Sequence, residues 1–418
     1  MNDLKNRIFF VILILIAYRI GAHIPIPLLD TKQIMNAFSE EKSGILSLFN
    51  LFSGGALLKV TIFSLGIMPY ISSSIIIQML TFVWDPLKKL RKDGTQGKKK
   101  LSEYTRYLTV ILSTLQAMAM SKFIIKLSII NISMLNYSII ILTLVVGTLI
   151  LMWLGEKINE KGIGNGISLI IFTSIISNIP KTIGSTLEKL RQDEINIIYT
   201  CLFALILLAV VLLIIYVEKA QRKIQISYPK RQQGRKIYSA QSTYLPFKIN
   251  MAGVIPPIFA SSIILFPITI IQWLESSLNN NILYKIKMLI MPGSISYILF
   301  FGFFIIFFCF FYNNLVFNSD ETADNLKKSG GFIPGIRPGE QTSNHIKKIV
   351  NKLTIIGSIY LTLVTLLPEF LVTFTNIPFY FGGTSLLIVV VVIMDFISQV
   401  QTRMISYKYD NLIKKYKK

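Results

Sequence analysis

Charge is scarce in this sequence, and most of what there is has one sign. Of 418 residues, 15% are Asp, Glu, Lys or Arg, and 43 Lys and Arg stand against 21 Asp and Glu. A soluble domain carries about a quarter charged residues, so the deficit argues against an ordinary soluble fold. Histidine is confined to His23 and His345, and cysteine to Cys201 and Cys309. Without a Cys/His cluster there is no zinc or dithiol motif. Both cysteines lie in apolar runs and read as buried free thiols. No G-x-x-x-x-G-K-[ST] pattern occurs, so the chain itself is not expected to hydrolyse ATP. Arginine is also rare, 10 against 33 Lys, a drift of genome composition with no functional meaning.

What is abundant is apolar sequence, 52% of the chain. Runs of this kind recur along its whole length, and each is long enough for a hydrocarbon core of roughly 30 Å. They predict a polytopic all-α membrane protein, whereas a β-barrel would show short alternating segments. The first run, "RIFFVILILIAYRIGAHIPIP", follows basic residues as a signal peptide does. It lacks a small-x-small cleavage site and reads as an uncleaved first span. Ten such runs are found; the fifth, Ile167–Ile179, is short and rich in Ser, Thr and Asn. With the N-terminus inside, ten spans place 32 Lys and Arg on the cytosolic side and 10 outside, with Arg19 in the first span. That asymmetry obeys the positive-inside rule.

The stretch from Leu46 to Val83 is too long for one span, about 57 Å as a single helix at 1.5 Å per residue. Counting it as two spans would invert the parity and put the eight basic residues of Lys88–Arg106 outside. The remaining solution is a short helix that dips in from the outer side and breaks near Gly54 and Gly55. Irregular backbone at membrane depth is tolerated only inside protein or beside a water-filled cavity, so the break implies a cavity. Ten spans divide into two fives, and an odd number per half makes such halves inverted. No sequence repeat marks them.

Few ionisable groups lie in the spans. Arg19, Glu369 and Asp395 sit near the ends, where they snorkel or pair. An ion-coupled transporter needs a charged group near the midplane, and none is evident. The Gly-rich "KGIGNGIS" (Lys161–Ser168) reads as a flexible loop ahead of the fifth span, not a phosphate cradle. Sequons at Asn131 and Asn136 read as chance in an Asn-rich chain. Two cytosolic loops are richer than topology requires. Val217–Gly253 reads as a structured hairpin or finger. Asn318–Lys352 carries the turn "PGIRPGEQT" with Arg337 at its centre. Positive-inside charge with a well-formed turn is one reading of these loops; docking to a large anionic or acidic cytosolic partner is the other.

Seven segments carry a family resemblance: "FNLFSGGAL", "LGIMPYISSSIIIQML", "MWLGEKINEKGIGNGIS", "KRQQGRKIYSAQSTYLP", "NMAGVIPPIFASSIILFP", "DETADNLKKSGGFIPGIRPGEQT" and "PFYFGGTSLLIVVVVIMDFISQVQ". They are similar, in order, to the bacterial SecY (SecY/SEC61-alpha) family, channel subunits of the Sec protein translocase. The likeness runs from Leu4 to about Lys408; the N-terminal tail is short and the external loops diverge. It implies a non-enzymatic, cofactor-free, protein-conducting channel. Two pseudo-symmetric inverted halves would enclose an hourglass pore, residues 1–195 with a plug helix at about 45–59, and residues 196–400 with cytosolic loops 218–253 and 318–352. Residues 401–418 would form a basic cytosolic tail.

On that resemblance Phe49, Asn50, Phe52, Ser53, Gly54 and Gly55 belong to the plug, small and flexible at its end so that it moves aside. Ile67, Ile71, Ile171, Ile258 and Ile388 match the constriction ring; taken one at a time, each equally suits core packing. Ile67 and Ile71, spaced i and i+4, share a helix face, and an aliphatic ring excludes water by dewetting. A lateral gate to lipid lies between Thr61–Val83 and Val254–Leu274, with Ser72, Gln78 and Phe266 at the seam. Arg337, Arg235, Lys236 and Arg231 match the docking surface for a SecA ATPase or the ribosome; Lys236 occupies a position where Arg is common, and Lys lacks the bidentate fork. Small SecE-like and SecG-like membrane subunits, signal-bearing preproteins and membrane lipids are the implied partners. The expected location is a bacterial plasma (inner) membrane, multi-pass, with both termini cytosolic; a plastid thylakoid is the lesser alternative. An inverted-repeat secondary transporter and an intramembrane enzyme are the competing classes; the first lacks its midplane charge and the second its nucleophile–base pair.

Overall fold

The chain is seen here in a computed structural model that describes residues 2–27, 53–128, 133–193, 196–229, 231–233, 236–238, 242–275, 294–375 and 382–416. The apolar runs fall on ten helices: α1 (Asn2–Gly21), α2 (Met68–Val83), α4 (Gly94–Ser128), α5 (Met134–Lys161), α6 (Gly166–Arg191), α7 (Ile197–Lys219), α8 (Ile255–Glu275), α9 (Ile295–Val316), α11 (Glu340–Thr375) and α12 (Gly383–Tyr416). Among the described residues two further helices are polar, α3 (Asp85–Lys92) and α10 (Ser319–Ser329). Four short strands lie between α7 and α8.

Local chemistry sets the helix starts. Asn165 Oδ1 accepts the Ile167 N–H at the head of α6, and Asn196 Oδ1 does the same for Ile198 on α7. Ser294 caps α9 through the Tyr297 N–H, and Asn318 caps α10 through Asp320 and Glu321. Each side chain satisfies donors that a helix N-terminus leaves open. Pro69 stands in the first turn of α2, where its missing N–H costs nothing.

Six helices are long and apolar enough to cross a membrane, by length and composition. Met68–Val83 is a shorter apolar helix. At 16 residues, α2 is only about 24 Å long, less than a typical hydrocarbon core of roughly 30 Å. The second span therefore differs from expectation. It begins at Met68, and residues 61–67 are non-helical. Their backbone is satisfied by the chain leaving α1: Ile26 N–H donates to Val60 O at 2.9 Å and Ile62 N–H to Ile24 O at 3.1 Å. Val60, at φ 46, turns the chain.

Other expectations need correction. The fifth span is a full helix of 26 residues, in which Ser and Thr hydroxyls are satisfied by carbonyls of the preceding turn. Cys309 is buried but Cys201 is exposed, since it lies on the outward face of α7. The "KGIGNGIS" loop is held, not loose. Gly166 N–H donates to Asn159 Oδ1 at 2.7 Å, and Gly164 N–H to Gln399 Oε1 on α12 at 2.9 Å.

The main apolar cluster draws on α1, α2, α5, α6, α7, α8, α9, α11 and α12. A second joins Leu57 and Val60 to Ile26, Ile124, Ile140 and Leu144. A third, at the strands, packs Ile224 and Phe247 against Ile333, Ile346 and Val350.

Candidate functional site

The irregular turn that begins at Ser53 is held by hydrogen bonds from α1 and α6. Ser53 is 1% exposed and Val60 fully buried. The Tyr18 hydroxyl of α1 donates to the Ser53 carbonyl at 3.3 Å and lies 2.5 Å from Ser174 Oγ on α6. Two further donors converge on the Gly54 carbonyl: Ser177 Oγ at 3.2 Å and Arg19 Nη1 at 3.3 Å. Gly54 adopts φ +68, and a Cβ there would stand 3.0 Å from Ser174 Cα and from the Tyr18 hydroxyl. Glycine is thus required by close approach and a left-handed backbone. The small residues let the backbone at Ser53 and Gly54 pack closely against α1 and α6. Phe49, Asn50 and Phe52 lie outside the described residues.

The five isoleucines expected at the constriction come from four helices. Ile67 and Ile71 come from the start of α2, Ile171 from α6, Ile258 from the first turn of α8 and Ile388 from α12. All are buried in the one main apolar cluster, with exposures from 0% (Ile388) to 6% (Ile258). Ile67 caps α2 and accepts the Ile71 N–H at 3.1 Å, so the i, i+4 relation holds although Ile67 precedes the helix. Met68, Ile75, Ile175, Ile264 and Val391 share the cluster.

At the seam, α8 packs against α2 and α4. Ser72 and Gln78 are half-buried on α2. Gln78 Nε2 donates to Ser74 Oγ at 3.1 Å, while its Oε1 is buried without a partner among the described residues. Phe266 is on α8.

The loop expected to be a hairpin is one. β1 (Gln221–Ser227) pairs antiparallel with β4 (Ser242–Lys248), and within it β2 (Arg231–Gln233) pairs with β3 (Lys236–Tyr238). Arg231 and Lys236 are thus strand residues of the hairpin tip; Arg235 lies outside the described residues. The hairpin meets the second loop through a bridge between Ser227 and Phe332. Five residues beyond that bridge, Arg337 is exposed, its carbonyl accepting the Thr342 hydroxyl at 2.9 Å. The structure therefore brings both basic loops onto one base.

Sequence reasoning missed the polar groups around these features. Tyr18, Ser174 and Ser177 hold the irregular turn, and their only signal was the run of hydroxyl residues in a weak span. Missed too was a buried pair, Glu218 and Asn250, linked at 2.6 Å. Among the described residues no group of three or more His, Cys, Asp or Glu stands ready to bind a metal ion.

Comparison with known proteins matches this architecture. The SecY family model covers residues 61–397. Protein translocase subunit SecY of Vibrio cholerae is 50% identical over 421 residues, spanning 99% of this chain and 95% of that one. The corresponding subunit of Buchnera aphidicola subsp. Schizaphis graminum is 51% identical, over 99% and 95%. Among solved structures, a protein-conducting channel aligns with TM-score 0.68 at 19% identity, covering 96% of this chain and 93% of that one. Sec61 in a canine ribosome–channel complex from the endoplasmic reticulum aligns with TM-score 0.65 at 17% identity, over 96% and 93%. A family model matched over most of the chain, and half-identical relatives covered almost end to end, establish that the chain belongs to the SecY family.

Proposed function

We propose that this chain is the protein-conducting channel of a Sec translocase, passing unfolded preproteins across a membrane and releasing apolar segments sideways into lipid. The observation that carries this reading is that Ile67, Ile71, Ile171, Ile258 and Ile388, from four helices, are all buried members of the main apolar cluster, to which Ala56 of the irregular turn also belongs. Residues 1–195 and 196–400 act as the two halves of a clamshell. The isoleucines form its constriction, which dewets when shut and offers a passing chain no hydrogen bond. Ser53–Gly55 is the root of the plug.

The seam between α2 and α8 is the lateral gate. Leu, Ile, Phe and Val each favour the bilayer by roughly 0.3–0.6 kcal/mol at a helix centre, so an apolar segment of ten residues gains several. Arg337 and the hairpin that carries Arg231, Arg235 and Lys236 dock a SecA-type ATPase or a ribosome, which supplies the energy. SecE-like and SecG-like subunits complete the complex in a bacterial inner membrane, with both chain termini cytosolic.

Reconstitution tests this. Vesicles carrying the chain with its small partners and a SecA-type ATPase import a signal-bearing precursor, and Arg337→Glu lowers import at least about tenfold, as loss of a charged contact does. Arg337 is exposed, so the variant folds. Failure of the wild type to import, or full activity of the variant, counts against the assignment.

A further inference from the structure

The docking hairpin and the gate helix α8 are consecutive in the chain, and only residues 249–254 separate them. The hairpin ladder runs from Ser227↔Ser242 to Gln221↔Lys248, and the Ile249 N–H extends it by donating to Ala220 O at 3.2 Å. At the next residue the ladder stops and a side-chain lock begins. Asn250 Nδ2 donates to Glu218 Oε1 at 2.6 Å, and to Gly253 O at 3.2 Å; Asn250 Oδ1 accepts the Gly253 N–H at 3.1 Å. Asn250 is 2% exposed and Glu218 6%. Gly253 takes φ +63 with open space around its Cβ position, so its glycine serves the turn's conformation. Two residues later α8 starts, and its first turn carries Ile258 into the isoleucine cluster.

A carboxylate at the last turn of a membrane helix is expensive to bury unless hydrogen-bonded. Here it is spent on one amide, and that amide holds both ends of the turn into α8. Glu218 therefore ties three things at one point: the end of α7, the root of the hairpin and the start of α8. The Lys248–Asp395 ion pair, 3.6 Å, ties the same root to α12 but is half-exposed and weak. Without the Glu218–Asn250 bond, a displacement of the hairpin is absorbed by rotation within residues 250–253.

We infer that Glu218 is a positioning residue that couples the docking hairpin to the gate helix α8 by locking the Asn250–Gly253 turn. The inference rests on the docking and gate reading given above. It assigns to Glu218 no contact with substrate.

The test uses the full chain reconstituted with its small partner subunits. A SecA-type ATPase is titrated, and three quantities are read: its Kd, the rate of precursor import, and the separation of spin labels on α2 and α8. Glu218→Ala removes the acceptor. Its Kd stays within about twofold of wild type, import falls about tenfold, as expected for a lost hydrogen bond to a charged group, and ATPase-induced label separation is lost. Asn250→Asp, which removes the donor, behaves likewise. Glu218→Gln keeps an acceptor oxygen within reach of Asn250 and restores import to within about twofold of wild type.

Three outcomes overturn the inference alone: normal label separation in Glu218→Ala, a parallel loss of Kd and import in that variant, or a Glu218→Gln variant as impaired as Glu218→Ala. If the ATPase does not bind the wild type at all, the docking reading falls and the inference with it.

Discussion

Tyr18 on α1 and Ser174 on α6 share a hydroxyl–hydroxyl hydrogen bond of 2.5 Å, directly beneath the Ser53 carbonyl. The tyrosine hydroxyl also reaches the Ser53 carbonyl, and Ser174 Oγ reaches back to the Ile170 carbonyl at 2.9 Å. The irregular turn at Ser53–Gly54 is thereby fastened to α1 and α6.

Loss of one of these bonds should loosen the turn without disturbing the helices. Tyr18→Phe and Ser177→Ala each delete one donor to the turn. A hydrogen bond of net worth about 1 kcal/mol changes the population of the released turn about fivefold. Ion conductance of the idle reconstituted channel should rise by that order in each variant. Conductance equal to wild type in both would show that the turn is not a latch.

Gly54→Ala should act on stability. The substitution forces a Cβ against Ser174 Cα at 3.0 Å and imposes a left-handed backbone on an L residue. Strain of this kind costs about 1–3 kcal/mol. The thermal midpoint of the purified complex should fall, and an unchanged midpoint would mean that the turn relaxes freely.

The isoleucine cluster makes opposite demands on two substitutions at one site. Ile388 is fully buried. Ile388→Val keeps the surface apolar, costs about 0.5–1.5 kcal/mol and should leave resting vesicles tight to ions. Ile388→Asn places an amide where water can wet it, and idle ion permeability should rise. Equal permeability of the two variants would remove dewetting as the seal.

At the seam, Gln78 carries a buried carbonyl oxygen with no partner among the described residues. Leaving such a group unsatisfied costs about 1–3 kcal/mol. Gln78→Leu relieves that cost in the packed seam and should stabilise it. Import of precursors with weakly apolar signals should slow, while strongly apolar signals pass as before. A faster rate for the weak signals would reverse the assigned role of Gln78.

The sequence by itself determined the solvent and the all-helical class. Apolar runs report transfer free energy, which each residue carries without knowing its neighbours, and the basic residues report side through the positive-inside asymmetry. It also determined that Leu46–Val83 is interrupted, because length and charge parity together leave no other solution. The hairpin of Val217–Gly253 was legible from its composition. Its Lys236–Tyr238 strand and the ladder from Gln221 to Lys248 were not, since register depends on which residues meet.

Only the tertiary structure decided what Ser53, Gly54 and Gly55 are for. Read along the chain, small residues mean freedom; packed under Tyr18 and Ser174 they mean contact, because a missing Cβ lets backbones close to distances that no other residue permits. Likewise, each isoleucine of the cluster is unremarkable in sequence and gains its meaning from the other four. The Glu218–Asn250 lock joins residues 32 apart. A hydrogen bond needs two atoms within about 3 Å, and proximity at that separation is created by folding alone.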